Sequence, residues 1–89
     1  MIPRSTLEDC FTRNRDRFLS ELFQLLRIPS DSLDPSHQQD CVHCAEWLAD
    51  SLRVIGFEAK VLTTPGNPVV FGERKGKPGK PDVLLYGHY

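Results

Sequence analysis

A chain of 89 residues holds at most one small domain, and 39% apolar beside 26% charged residues marks it as globular rather than disordered. Eleven basic against twelve acidic side chains leave a formal net charge of -1, which excludes a global field drawing the chain to nucleic acid or a membrane surface. No apolar run approaches the roughly 18 residues of a membrane span, the first residues lack the apolar core of a signal peptide, and Cys10, Cys41 and Cys44 are odd in number, which argues against a disulfide framework and suits a reducing cytoplasm.

The chain opens on residues in capping-box spacing, Ser5 with Glu8 or Thr6 with Asp9. Leu7, Phe11, Phe18, Leu22 and Leu25 or Leu26 then recur at helical spacing, and Asp9 precedes Arg13 at i,i+4. Pro29 ends the pattern and pushes Ile28 to extended backbone. The spacing predicts an amphipathic helix over residues 6–27. Ser30 to Pro35 is a turn-rich loop. Ser36 with Gln39 forms a second capping box, and Cys41, Ala45, Leu48, Leu52 and Ile55 lie on one helical stripe, flanked by Val42 and Ala49. Gly56 is the natural residue to close that helix.

Phe57, Ala59 and Val61 alternate with Glu58 and Lys60, the pattern of a half-exposed strand. Thr64 to Pro68 is a turn, and Val69-Val70-Phe71 starts a second strand with a bulge expected at Gly72. Arg74 to Lys80 is a polar turn. Val83 to Tyr86 then run without alternation between Pro81 and Gly87, which predicts a third strand buried on both faces. The expected fold is α/β in the order α-α-β-β-β, without repeats or a linker, its mixed sheet covered by helices. Two helices cannot close a sheet whose last strand is interior, so residues 1–89 read as the opening part of a single larger domain. Reactive groups of open α/β sheets collect beyond the carboxyl ends of the strands, where His88 follows Gly87.

The stretch Leu85-Tyr86-Gly87-His88-Tyr89 resembles the strand end of the di-zinc dipeptidases. That family includes carnosine dipeptidases, succinyl-diaminopimelate desuccinylases, acetylornithine deacetylases, aminoacylases and glutamate carboxypeptidases. Its pattern is an apolar strand, Gly-His, another residue, then Asp, and the Gly-His-Tyr form is most like the dipeptidase branch. Ile28-Pro29-Ser30 after the first helix and Leu52 to Glu58 at the end of the second are also similar to the family. The resemblance implies that His88 is a zinc ligand. The bridging Asp would be the residue after Tyr89, so this chain is expected to be an inactive fragment of the enzyme. For the intact protein it implies hydrolysis of a small peptide or N-acyl amino acid by two zinc ions with a glutamate as general base. It also implies a homo-oligomer.

Other features invite chemistry and fall short. Cys41-Val42-His43-Cys44, with His37 upstream, has the spacing of half a zinc site, but strong sites carry a second pair; a cysteine on an apolar helical stripe packs as a small hydrophobe. The basic turn from Arg74 to Lys80 lacks the aromatic residues of a nucleic-acid surface and reads as a solvated hairpin turn. Trp47, at the edge of the second helix's stripe, reads as core. Ser30, Asp31, Ser32 and Asp34 lack a base or a Gly-rich turn that would make a nucleophile. The rival reading is a non-catalytic α/β module that binds a partner through an exposed sheet edge.

Overall fold

The computed structural model describes residues 2–89. Helix α1 spans Arg4–Leu26, a 3-10 turn η1 spans Pro35–His37, helix α2 spans Gln38–Val54, and strands β1 and β2 span Glu58–Leu62 and Val69–Glu73. The α-α-β-β order and the α/β class are those expected from the sequence. The third strand expected over Val83 to Tyr86 is not formed: those residues are 81–89% exposed and pair with no strand. An interior strand needs neighbours on both sides, and among the described residues the sheet has only β1 and β2, paired antiparallel from Glu58 opposite Glu73 to Leu62 opposite Val69.

The core lies between α2 and the hairpin. Its buried apolar residues are small: Cys41, Cys44, Ala45 and Ala49 on one face of α2, and Ala59 near the start of β1. Helical spacing puts the four α2 residues on one stripe, and their short side chains let the helix approach the sheet closely. Along β1 the predicted alternation holds, with Ala59 buried and Val61 half-buried between exposed neighbours. On β2 the half-buried positions are Val70 and Gly72. No bulge forms at Gly72, which pairs in continuous register with Ala59. Its lack of a side chain serves packing: a Cβ there would sit 2.9 Å from Leu52 Cδ1 and 3.6 Å from Phe57 Cδ2.

The chain leaves α2 through a Schellman turn. Gly56 takes φ 96°, its N–H donates to the Arg53 carbonyl at 3.0 Å, and the Phe57 N–H donates to the Leu52 carbonyl at 3.0 Å. Arg53 adds a side-chain clamp, donating to Asp50 at 2.7 Å and to the carbonyl of Ala59 in β1 at 2.9 Å. A cation in the last helical turn also suits the helix dipole.

The helix starts differ from expectation. Helix α1 begins at Arg4 behind Pro3 with no side-chain cap, so neither Ser5 nor Thr6 caps it. Proline's fixed φ and missing N–H suit it to a helix start without a cap. Helix α2 also lacks a side-chain cap; Ser36 is taken up instead by Asp34, which accepts from its N–H at 2.9 Å and its hydroxyl at 2.7 Å. On α1 the ion pairs are Arg4–Glu8 at 2.7 Å and Arg17–Glu21 at 2.9 Å, while Arg13 turns to the backbone carbonyl of Asp9. No residue of α1 is buried, and its apolar stripe packs mainly within itself, with Phe11 and Phe18 rings 6.1 Å apart. The two helices therefore do not jointly cover the sheet; α2 does so alone.

Because Ala49 is fully buried against the hairpin, Ala49→Leu is expected to cost about 1–3 kcal/mol by overpacking. The same change at the exposed neighbour Glu46 is expected to stay within about 0.5 kcal/mol. Urea unfolding of the two variants beside the parent checks both values.

Candidate functional site

A cleft of about 570 Å³ runs along α2, floored by Cys41, Leu48 and Leu52, and walled by the Asn67–Val70 stretch and the tail from Leu85 to Tyr89. Ser32 forms its rim. The tail is held at its end, where the Tyr89 hydroxyl donates to the carbonyl of Pro68. Burial pushes the Tyr89 phenol above its ordinary value, and the neighbouring Cys41 and Cys44 thiols add to the effect. The tail thus lies over the start of β2 without joining the sheet.

His88 lines this cleft but remains exposed. Its Nε2 lies 3.0 Å from the Tyr86 hydroxyl, and the two rings meet edge to face with centroids 5.1 Å apart. The expected setting, an imidazole at the end of a rigid buried strand, is not present, because Val83 to Tyr86 form no strand. Among the described residues no group of three or more His, Cys, Asp or Glu side chains could hold a metal ion. A metal therefore does not fit the side chains of this chain by themselves.

Cys41 and Cys44 are each 1% exposed and unpaired. Desolvation raises the Cys41 pKa, and the nearby Cys44, Asp31 and Asp40 raise it further. The nucleophilic and metal-binding form of cysteine is the thiolate, so this environment favours a packed, neutral thiol. His43 points away on the exposed side of α2, and the Cys41 to Cys44 motif brings no second pair with it. Cys41 faces the cleft and the sheet rather than α1. Trp47 is half-buried. The basic turn is fully exposed, and its Arg74 reaches back to the carbonyl of Ile55 at 3.5 Å. With no third strand after it, this segment is not the hairpin turn expected from the sequence but an exposed connection tied to the end of α2.

Sequence reasoning missed the polar cluster at the start of α2. His37 Nδ1 lies 2.8 Å from Asp40 Oδ2, and its Nε2 lies 3.9 Å from Asp34 Oδ2. The hydrogen bond to Asp40 raises the His37 pKa against the opposing effect of burial, and the fields of Asp34, Asp40 and Asp31 also raise it. Asp34 is held below its ordinary value, first by the Ser36 hydroxyl and then by the Ser36 N–H. Acids three residues before and three after a histidine were the available sequence signal.

The chain is similar to the Cys-Gly metallodipeptidase DUG1 of Candida albicans, 31% identical over 101 aligned positions that cover 99% of this chain and 21% of the relative. The chain therefore spans about a fifth of that relative's length. The similarity relates it to metallopeptidases of the dipeptidase type. No family model matches the sequence. No solved structure matches it either. No helix among the described residues is long and apolar enough to cross a membrane.

Cys41→Ala is expected to cost on the order of 1 kcal/mol, as loss of a small buried group does. The chain is expected to retain no stoichiometric zinc before or after the change. Chemical denaturation and metal analysis of the same preparations check the pair; a zinc ion lost on replacing Cys41 or Cys44 would make the thiols ligands.

Proposed function

We propose that this chain is the N-terminal part of the catalytic domain of a metal-dependent hydrolase, a dipeptidase or an N-acyl amino acid amidohydrolase. The observation that carries this reading is the similarity to a Cys-Gly metallodipeptidase across 99% of the chain. The Gly87-His88 step after an apolar run agrees with it. In the intact protein His88 contributes one ligand to a centre of two zinc ions, completed by residues outside these 89. Such a metal pair polarises a substrate carbonyl and lowers the pKa of water. A neutral imidazole binds through one ring nitrogen while the other is held by a neighbouring oxygen. Here the Tyr86 hydroxyl holds Nε2, leaving Nδ1 as the unengaged nitrogen, so ligation through Nε2 requires Tyr86 to withdraw. The substrates are small peptides or N-acyl amino acids, the intact enzyme is a homo-oligomer, and three free cysteines suit the cytoplasm. The 89-residue chain alone is inactive.

The rival reading rests on a specific observation: β1 and β2 each leave an edge unpaired, and the apolar residues Val83 to Tyr86 are exposed. Unpaired edges with exposed apolar surface are templates for another chain. Under that reading the chain is a binding module without metal or activity.

His88→Ala in the full-length protein is expected to remove about one equivalent of zinc and most dipeptide hydrolysis, with the fold intact. Metal analysis, kinetics and circular dichroism on the same preparation check this. Full zinc occupancy with parental turnover would eliminate His88 as a ligand, whereas a parental full-length protein with neither zinc nor turnover would leave the binding module as the better reading.

A further inference from the structure

The 31–37 segment is held to α2 by a small set of polar contacts. Asp34 divides its two oxygens between neighbours. Oδ1 accepts from the N–H of Ser36 at 2.9 Å and from its hydroxyl at 2.7 Å, while Oδ2 faces His37 Nε2 at 3.9 Å. The other face of the imidazole belongs to α2, where Nδ1 lies 2.8 Å from Asp40 Oδ2. A carboxylate only accepts, so Nδ1 carries a proton whenever Asp40 is ionised. Nε2 then decides the contact to Asp34. Bare, it turns a lone pair toward a carboxylate oxygen. Protonated, it turns a charged N–H toward the same oxygen.

The surroundings make this proton consequential. The charged groups that face His37 are Asp31 and Asp34 from the loop and Asp40 from α2. The neighbouring Cys41 thiol is neutral. Among the described residues no lysine or arginine pairs with Asp31, Asp34 or Asp40. Three carboxylates therefore share a single cation, and it is the side chain whose charge changes near neutral pH. The loop they anchor contributes Ser32 to the rim of the cleft above Cys41.

We propose that His37 is a proton-operated latch: with Nε2 protonated the ring joins Asp34 of the loop to Asp40 of α2 and closes the Ser32 rim, and with Nε2 bare the loop is released. The raised His37 pKa sets the direction. The contribution is fully present below the ordinary histidine value of 6.5 and is lost as pH rises through the higher folded-state value. On the acid side Asp34 has the opposite sign. Its contribution is present above 3.8 and is lost as pH falls through its lowered value. The latch therefore works between these limits and opens on the alkaline side. It is independent of the enzyme assignment, because none of its residues belongs to the proposed metal centre.

Amide hydrogen exchange of the 89-residue chain, corrected for intrinsic rates, reads the latch directly. The informative amides are Leu33, Ser36 and His37, which donate to Asp31 Oδ1, Asp34 Oδ1 and the Asp34 carbonyl. Their protection is expected to fall about two- to fivefold from about pH 5.5 to about pH 8, the effect of an exposed ion pair. Amides of the Ala45–Ala49 turn of α2 are the internal control and stay unchanged. His37→Gln keeps a donor for Asp40 but cannot titrate, so the loop's pH dependence is expected to vanish. Asp34→Asn keeps the acceptor for Ser36 while removing the charge, and is expected to shrink the dependence and lower the His37 pKa seen by NMR. Loop protection that does not change with pH in the parent would overturn the proposal. So would the same pH dependence in His37→Gln, or a parental His37 that titrates at or below its ordinary value.

Discussion

The close approach of α2 to the β1–β2 hairpin is the contact on which the rest of this structure depends. It is made by residues with almost no side chain. Ala45 and Ala49 are fully buried on the helix, Ala59 is buried on the facing strand, and Gly72 leaves room for Leu52. Small residues give little apolar area per contact, but they bring backbones near enough for polar clamps to span the interface. Arg53 uses this proximity to join the end of α2 to the carbonyl of Ala59, and the Schellman turn at Gly56 aims the chain into β1. Helix, turn and hairpin are in effect a single packing unit.

Around this unit the chain carries apolar surface that the unit does not absorb. Helix α1 keeps Leu7, Phe11, Phe23 and Leu26 about half or more exposed, and Val83 to Tyr86 are exposed almost entirely. Soluble domains seldom leave so many large apolar side chains uncovered. The chain spans about a fifth of the length of the metallodipeptidase it is similar to, and these apolar surfaces are the parts of it left free to pack against other groups. Among the described residues no third strand forms, and the state of His88 follows from that. Without a strand beneath it the imidazole has no rigid mount, and it turns to Tyr86, its neighbour in sequence.

The cleft and the polar cluster beside it show how local chemistry can still be well defined in such a chain. Burial raises the Cys41 pKa, so the thiol of this Cys-x-x-Cys spacing is favoured in its neutral, packed form. A few residues away, His37 is held between two aspartates in positions that only the turn from η1 into α2 brings together. The contrast is one of solvent access: the thiols lie under the helix, the imidazole at its rim.

Periodicity was enough to read the two helices, the alternation of β1, the start of β2 and the closing role of Gly56. Each is a local pattern whose period or backbone requirement is written in consecutive residues. The His88 motif was legible as a resemblance, but its setting was not. Whether Val83 to Tyr86 become a strand depends on hydrogen-bonding neighbours that no local pattern supplies. The helix starts went the same way. Ser36 has the spacing of a cap, yet its N–H and hydroxyl both donate to Asp34, a local side-chain bond that competes with capping of the helix. Gly72 read as a bulge because its partner in packing, Leu52, is distant along the chain. The sequence by itself determined which segments coil, alternate and turn, since these follow from the chain's own covalent geometry. Only the tertiary structure decided which face α2 buries, where the tail lies and which carboxylates His37 meets, since these depend on groups that approach through space.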